Sequence, residues 1–98
     1  MTRILKDKLA KIESEFKNLQ VSYNVKKIGF FGSIVRNDFT KGSDIDVIVE
    51  FSKPIGLFKF FELERLLSGL LGFEVDLVTK NAIKPAIKKS VIKETVYV

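Results

Sequence analysis

The 98-residue sequence predicts an α+β fold, a small mixed three-stranded sheet packed with about four helices. Three observations carry that expectation. Apolar residues recur at helical spacing near the N terminus and again from residue 57 to residue 71. Three short segments are apolar and rich in β-branched or aromatic residues, one of them with period-two alternation. Glycine, serine and proline fall between these segments, where turns are needed.

Each element has its own reason. Leu5, Leu9, Ile12, Phe16 and Leu19 step by four and three, a narrow stripe that packs a first helix on one neighbour. Lys27 to Phe31 (KIGFF) reads as a short strand ending in two aromatics, and Ile34 to Phe39 has room for about two helical turns. Asp44 to Phe51 (DIDVIVEF) is the second strand. The helix from Leu57 to Leu71 is expected to turn Phe60, Phe61, Leu63, Leu67, Leu70 and Leu71 toward the sheet. Phe58 falls outside that stripe, beside Lys59, Glu62 and Arg65, either as a contact for a partner or shielded by the loop before it. Phe73 to Val78 is the third strand, and a last helix opens near Pro85 and buries Ile87 and Val91.

Topology follows from the motifs. Gly32 and Ser33 lie at the end of the first strand, whereas Asp44 and Asp46 open the second. One site holds both only if these strands run antiparallel or diagonally adjacent. The third strand is reached through a long helix, which suits a crossover to a parallel neighbour.

Composition narrows the chemistry. Residues 1–98 are expected to form a single domain, 46% hydrophobic, with nothing long enough to span a membrane. The N-terminal segment is evenly charged and does not read as a signal peptide, so a cytoplasmic protein is expected. The absence of cysteine excludes disulfides and thiolate nucleophiles. The absence of histidine removes serine–histidine hydrolysis and the usual zinc sets, leaving oxygen ligands and a hard cation such as Mg²⁺ or Mn²⁺.

Charge is uneven. Residues 1–31 carry seven basic and three acidic side chains, residues 32–79 five and eight, and residues 80–98 five and one, so +4, −3 and +4 sum to the net +5. Lys80, Lys84, Lys88, Lys89 and Lys93 read as a solvated helix face, with an acidic partner protein as the functional alternative. Direct nucleic-acid binding is not expected, because no helix-turn-helix or aromatic RNA-reading motif is present.

The acidic centre holds the chemistry. Asp44 and Asp46 are two apart in a strand pattern, so both carboxylates leave one face with Cα atoms about 6.6 Å apart. That spacing suits cations about 3.5–4 Å from each other. Asp76 adds a third carboxylate in a neighbouring strand. Clustered acids repel by about 2–3 kcal/mol per close pair at an effective dielectric near 20, a cost that a bound cation offsets. Gly32 lets the backbone approach a triphosphate, and Ser33 is placed to cap the following helix and donate to a phosphate oxygen. A plain cap with no ligand is the alternative for that dipeptide alone. Arg36 lies three residues past Ser33, where it either reaches a phosphate or pairs with Asp38 or Glu50.

Gly32, Ser33, the ten-residue gap, Asp44, Asp46 and the later Asp76 resemble the active-site pattern of the DNA polymerase β-type nucleotidyltransferases. More closely, Phe30 to Phe51, Gly56-Leu57-Phe58, Val75 to Thr79 and the basic last helix resemble the minimal nucleotidyltransferase antitoxins, often paired with a HEPN-domain toxin. The resemblance covers nearly the whole chain, with the first helix carrying no specific motif. It departs where family members often read Gly-Ser-Arg-x-Arg-Gly, because Ile34 follows the serine and Asn37 stands where glycine is frequent.

The resemblance implies a nucleotidyltransferase fold, metal ligation by Asp44, Asp46 and Asp76, and a triphosphate held by Gly32, Ser33 and Arg36. It further implies transfer of AMP from ATP to a hydroxyl, plausibly a tyrosine, of a cognate HEPN toxin. Two other readings compete: a binding module that neutralises its partner by occlusion, and nucleotide transfer to a small molecule or an RNA end.

Overall fold

The computed structural model describes residues 2–98. Helix α1 (Arg3–Tyr23) leads into strand β1 (Val25–Phe31), a single helical turn α2 (Ser33–Arg36), and strand β2 (Ile45–Phe51). Helix α3 (Leu57–Leu71), strand β3 (Val75–Thr79), a 3₁₀ turn at Lys80–Ala82, helix α4 (Pro85–Glu94) and strand β4 (Val96–Tyr97) complete the chain. The sheet order is β3-β2-β1-β4. β1 is antiparallel to both β2 and β4, and β2 is parallel to β3. The mixed α+β fold is therefore as expected, with a fourth strand added at one edge.

Caps set the long helices. The Thr2 hydroxyl accepts from the Leu5 N–H at 3.2 Å, and Asn24 closes α1 in the left-handed region at φ 57°. Gly72 closes α3 in the same way at φ 76°. Leu5, Ile12 and Leu19 of α1 meet Leu63, Leu67 and Leu71 of α3 over one face of the sheet, which supplies Ile28, Phe30, Ile45, Val47, Val49, Val75 and Leu77. Each such side chain removed from water contributes about 1.5–3 kcal/mol. A bulge between Val25 and Lys27 resets the alternation of β1, so that Val25 and then Ile28 and Phe30 all reach this core.

Strand β3 lies at the open edge of the sheet, and α3 covers it. The Ser68 hydroxyl accepts from the Val75 N–H at 3.0 Å, and the Glu64 carboxylate accepts from the Leu77 N–H at 2.9 Å. Side chains of α3 thus satisfy backbone donors that an edge strand would expose. They also fix the backbone on either side of Asp76.

Three expectations are corrected. Phe61 is 48% exposed rather than turned to the sheet, because Leu63, Leu67 and Leu71 alone form the buried line of α3. Ile87 is 52% exposed and Val91 only half-buried, since α4 touches the sheet at its end and buries none of its residues fully. The helix after Gly32 is one turn, not two: Asn37 adopts the left-handed region at φ 68° and its N–H returns to the Ser33 carbonyl. Phe58 is exposed, not shielded by the loop before it. No helix among the described residues is long and apolar enough to cross a membrane.

Candidate active site

The face of the sheet opposite the core carries the acids. Strand register places Phe31 opposite Asp46, and Asp46 opposite Asp76, so these three side chains form one row across β1, β2 and β3. Asp44 stands one residue before β2 and is exposed, as is Asp76, whereas Asp46 between them is half-buried. The start of β2 is tied to β3 by the Ile45 N–H, which donates to the Glu74 carbonyl at 2.8 Å. The approach to Asp44 is held by a Thr40–Ser43 turn and by Phe39, which meets the edge of Phe73 at 5.1 Å between ring centres.

Gly32 is bound to this row by necessity. Its φ of 78° and ψ of −150° suit glycine alone, and a Cβ built there would collide with the Asp46 carboxylate. The glycine thus lets Asp46 lie against the turn that begins α2. Ser33 is the first helical residue and Gly32 the cap, so the expected serine cap is not formed. The residue is half-buried beside Gly32.

Arg36 is exposed and pairs with Glu94 and Asp38 rather than with Glu50. Its Nη1 donates to Glu94 at 3.1 and 3.4 Å, and its Nε lies 3.8 Å from Asp38. The same Glu94 accepts from the Gly32 N–H at 2.8 Å. Sequence reasoning passed over Glu94, although two signals were there. It is the single acid among residues 80–98, and it stands in the last turn of a helix, where the dipole disfavours negative charge.

Electrostatics single out Asp46. Burial, followed by the charges of Asp76 and Asp44, pushes its carboxyl up to about 6, against a smaller opposing pull from Arg36. Among the described residues, no three metal-ligating side chains come together closely enough to hold an ion by themselves. The donor set nevertheless fits a hard divalent cation: carboxylate oxygens alone, two of them in register on adjacent strands, and one whose charge is disfavoured until a cation offsets it. A strand-to-helix turn set against paired carboxylates is an arrangement that phosphoryl- and nucleotidyl-transfer enzymes use.

Comparison with known proteins gives the same class. The family model described as nucleotidyltransferase domain matches residues 9–98. The "Putative protein adenylyltransferase MJ0128" of Methanocaldococcus jannaschii is 54% identical over 83 residues, covering 84% of this chain and 85% of that one. The protein adenylyltransferase MntA of Thermococcus cleftensis is 46% identical over 82 residues, covering 84% of this chain and 83% of that one. A chain in a crystal structure of a toxin–antitoxin with AMP-PNP superposes with a TM-score of 0.71 at 25% identity, covering 90% of this chain and 69% of that chain. The chain belongs to the nucleotidyltransferase domain family, and the resemblance drawn from its motifs to the minimal nucleotidyltransferases is borne out.

Proposed function

We propose that this single-domain chain is a cytoplasmic antitoxin that transfers AMP from ATP to a tyrosine hydroxyl of a cognate HEPN toxin. The observation that carries the reading is the contact between Gly32 and the Asp46 carboxylate, with Asp76 in register beside it. It brings the strand-to-helix turn and two carboxylates in register together, which supports a single site for phosphates and a cation. The kinship with chains named protein adenylyltransferase supports AMP as the transferred group, and the toxin–antitoxin neighbour with its ATP analogue supports ATP and a toxin partner.

Asp44, Asp46 and Asp76 would hold Mg²⁺ or Mn²⁺, which supplies charge neutralisation at the phosphates and acidity at the attacking hydroxyl when bound. The Ser33 hydroxyl and the N–H groups that open α2 donate to the β- and γ-phosphates beside Gly32, whose own N–H is held by Glu94, and Arg36 adds a guanidinium at the rim. The acceptor oxygen attacks the α-phosphorus in line. An oxygen–phosphorus bond forms there as the bond to the β-phosphate oxygen breaks, and pyrophosphate leaves with that electron pair. Asp76 helps to deprotonate the attacking hydroxyl.

Intact-mass measurement of the partner toxin after incubation with ATP and Mg²⁺ tests this reading. One or more AMP increments on the toxin are expected, mapping to tyrosine by fragmentation. A toxin that is bound and neutralised with unchanged mass would overturn transfer in favour of occlusion.

A further inference from the structure

The last turn of α4 reaches the phosphate turn through the fourth strand. β4 pairs with β1 so that Phe30 is opposite Val96 and Gly29 opposite Tyr97. Continuing that antiparallel register two residues places Glu94 opposite Gly32. Close approach is allowed because Gly29 has no side chain: a Cβ there would lie 2.7 Å from Thr95 Cγ2 and 3.0 Å from the Val96 carbonyl. Thr95 then closes α4, its hydroxyl donating to the Val91 carbonyl at 2.7 Å.

Glu94 contradicts the local preference of its helix. A carboxylate in the last turn faces the negative end of the dipole, where the neighbouring Lys93 is the favoured kind of residue. Its contacts lie across the molecule instead, 62 residues away at Gly32 and 58 away at Arg36. One oxygen, Oε1, is shared by the Gly32 N–H at 2.8 Å and Arg36 Nη1 at 3.1 Å. The Glu94 side chain keeps 26% of its exposure and Arg36 54%, so the contact with Gly32 is the more sheltered of the two.

We propose that Glu94 is a positioning residue for nucleotide use. Its carboxylate orients the Gly32 backbone and holds the Arg36 guanidinium by Nη1 at the rim of the phosphate turn. The inference rests on the nucleotide-transfer reading above. It assigns to the C-terminal α4–β4 segment a part in the site, carried out through Gly32 and Arg36 rather than by contact with the reacting atoms.

Titration of the full chain with AMP-PNP and Mg²⁺ tests the role in the parent, Glu94→Ala, Glu94→Gln and Lys93→Ala. Lys93→Ala alters the same turn without touching Gly32, and parent-like affinity is expected. Glu94→Ala is expected to weaken binding about tenfold or more, the loss of charge-assisted contacts that set the turn. Glu94→Gln keeps an acceptor for the Gly32 N–H but no charge for Arg36, so an intermediate affinity is expected, with little added loss when Arg36→Gln is already present. Amide exchange at Gly32 should be slow in the parent and fast in Glu94→Ala. Parent-like affinity in a folded Glu94→Ala would overturn the inference alone. Should Glu94→Ala not fold, parent-like affinity of Glu94→Gln with fast exchange at Gly32 in the parent does the same. A parent that binds no nucleotide would overturn the transfer reading, and this inference with it.

Discussion

Ile45 and Val47 turn into the core with no solvent exposure, whereas Asp46 between them faces the other side of the sheet, half-buried against Gly32 and in register with Asp76. The two faces of β2 answer to different physics. One is shaped by burial and tolerates no polar group without a partner. The other keeps carboxylates close enough to repel, at a cost in stability that a bound cation or a proton offsets. If the acidic face serves the proposed transfer, substitutions on the two faces should separate folding from function.

The largest separation is expected between Asp76→Asn and Leu67→Ala. Asp76→Asn keeps shape and removes charge, so transfer should fall by orders of magnitude with melting unchanged or slightly raised. Leu67→Ala opens a cavity under the sheet and should cost about 2–5 kcal/mol while leaving turnover per folded molecule near the parent value. Urea denaturation and transfer assays on both variants check this. A Leu67→Ala chain as inactive as Asp76→Asn would break the distinction between the faces.

Gly32→Ala sits where the faces meet. The methyl group must displace the Asp46 carboxylate and adopt a φ that L residues disfavour, so both quantities should suffer. A loss above about 1 kcal/mol in stability is expected, together with a sharp fall in nucleotide affinity. Ser33→Ala sharpens the comparison from the other direction. Since the serine occupies the first helical position and caps nothing, its replacement should leave the melt near the parent, yet weaken ATP use about tenfold if the hydroxyl donates to a phosphate. Parent-like titration curves would show that the backbone of the turn suffices.

A smaller effect concerns pH. The Asp46 carboxyl is pushed up to about 6, above its ordinary value near 3.9, by burial and by Asp76 and Asp44. Between about pH 4 and pH 6 the folded chain therefore keeps a proton that the unfolded chain has released. Stability from this group is highest at the acid end of that window and declines as pH rises through it. Melting in EDTA should show the decline in the parent relative to Asp46→Asn, which lacks the titrating group. A parent and variant that track one another across the window would contradict the raised value.

Much of this arrangement was legible in the residues themselves. Alternation in Asp44 to Phe51 showed which side Asp46 takes, and placing Gly32 beside the acids called for antiparallel or diagonally adjacent strands, of which the antiparallel β1–β2 pairing is found. The long connection before Asp76 suited the parallel β2–β3 pairing that is found. What escaped was non-local. Val96 and Tyr97 form a strand only because β1 offers an edge, and two residues carry no periodicity to read. Glu94 enters the site through that pairing, and Glu64 and Ser68 support β3 by contacts that span a helix and a turn. Asn37 ended α2 early through a left-handed conformation that helical spacing does not encode.

The most direct test of the account is thermal melting of the parent and of Asp46→Asn with ATP, with Mg²⁺, and with both together. A ligand held only by the folded chain stabilises it by about 2.7 kcal/mol at a hundred times its dissociation constant. The account predicts a rise of several degrees in the parent that needs ATP and Mg²⁺ together, and little or none in Asp46→Asn. An equal rise in both proteins, or a full rise with ATP alone, would contradict a nucleotide and cation held jointly on the acidic face.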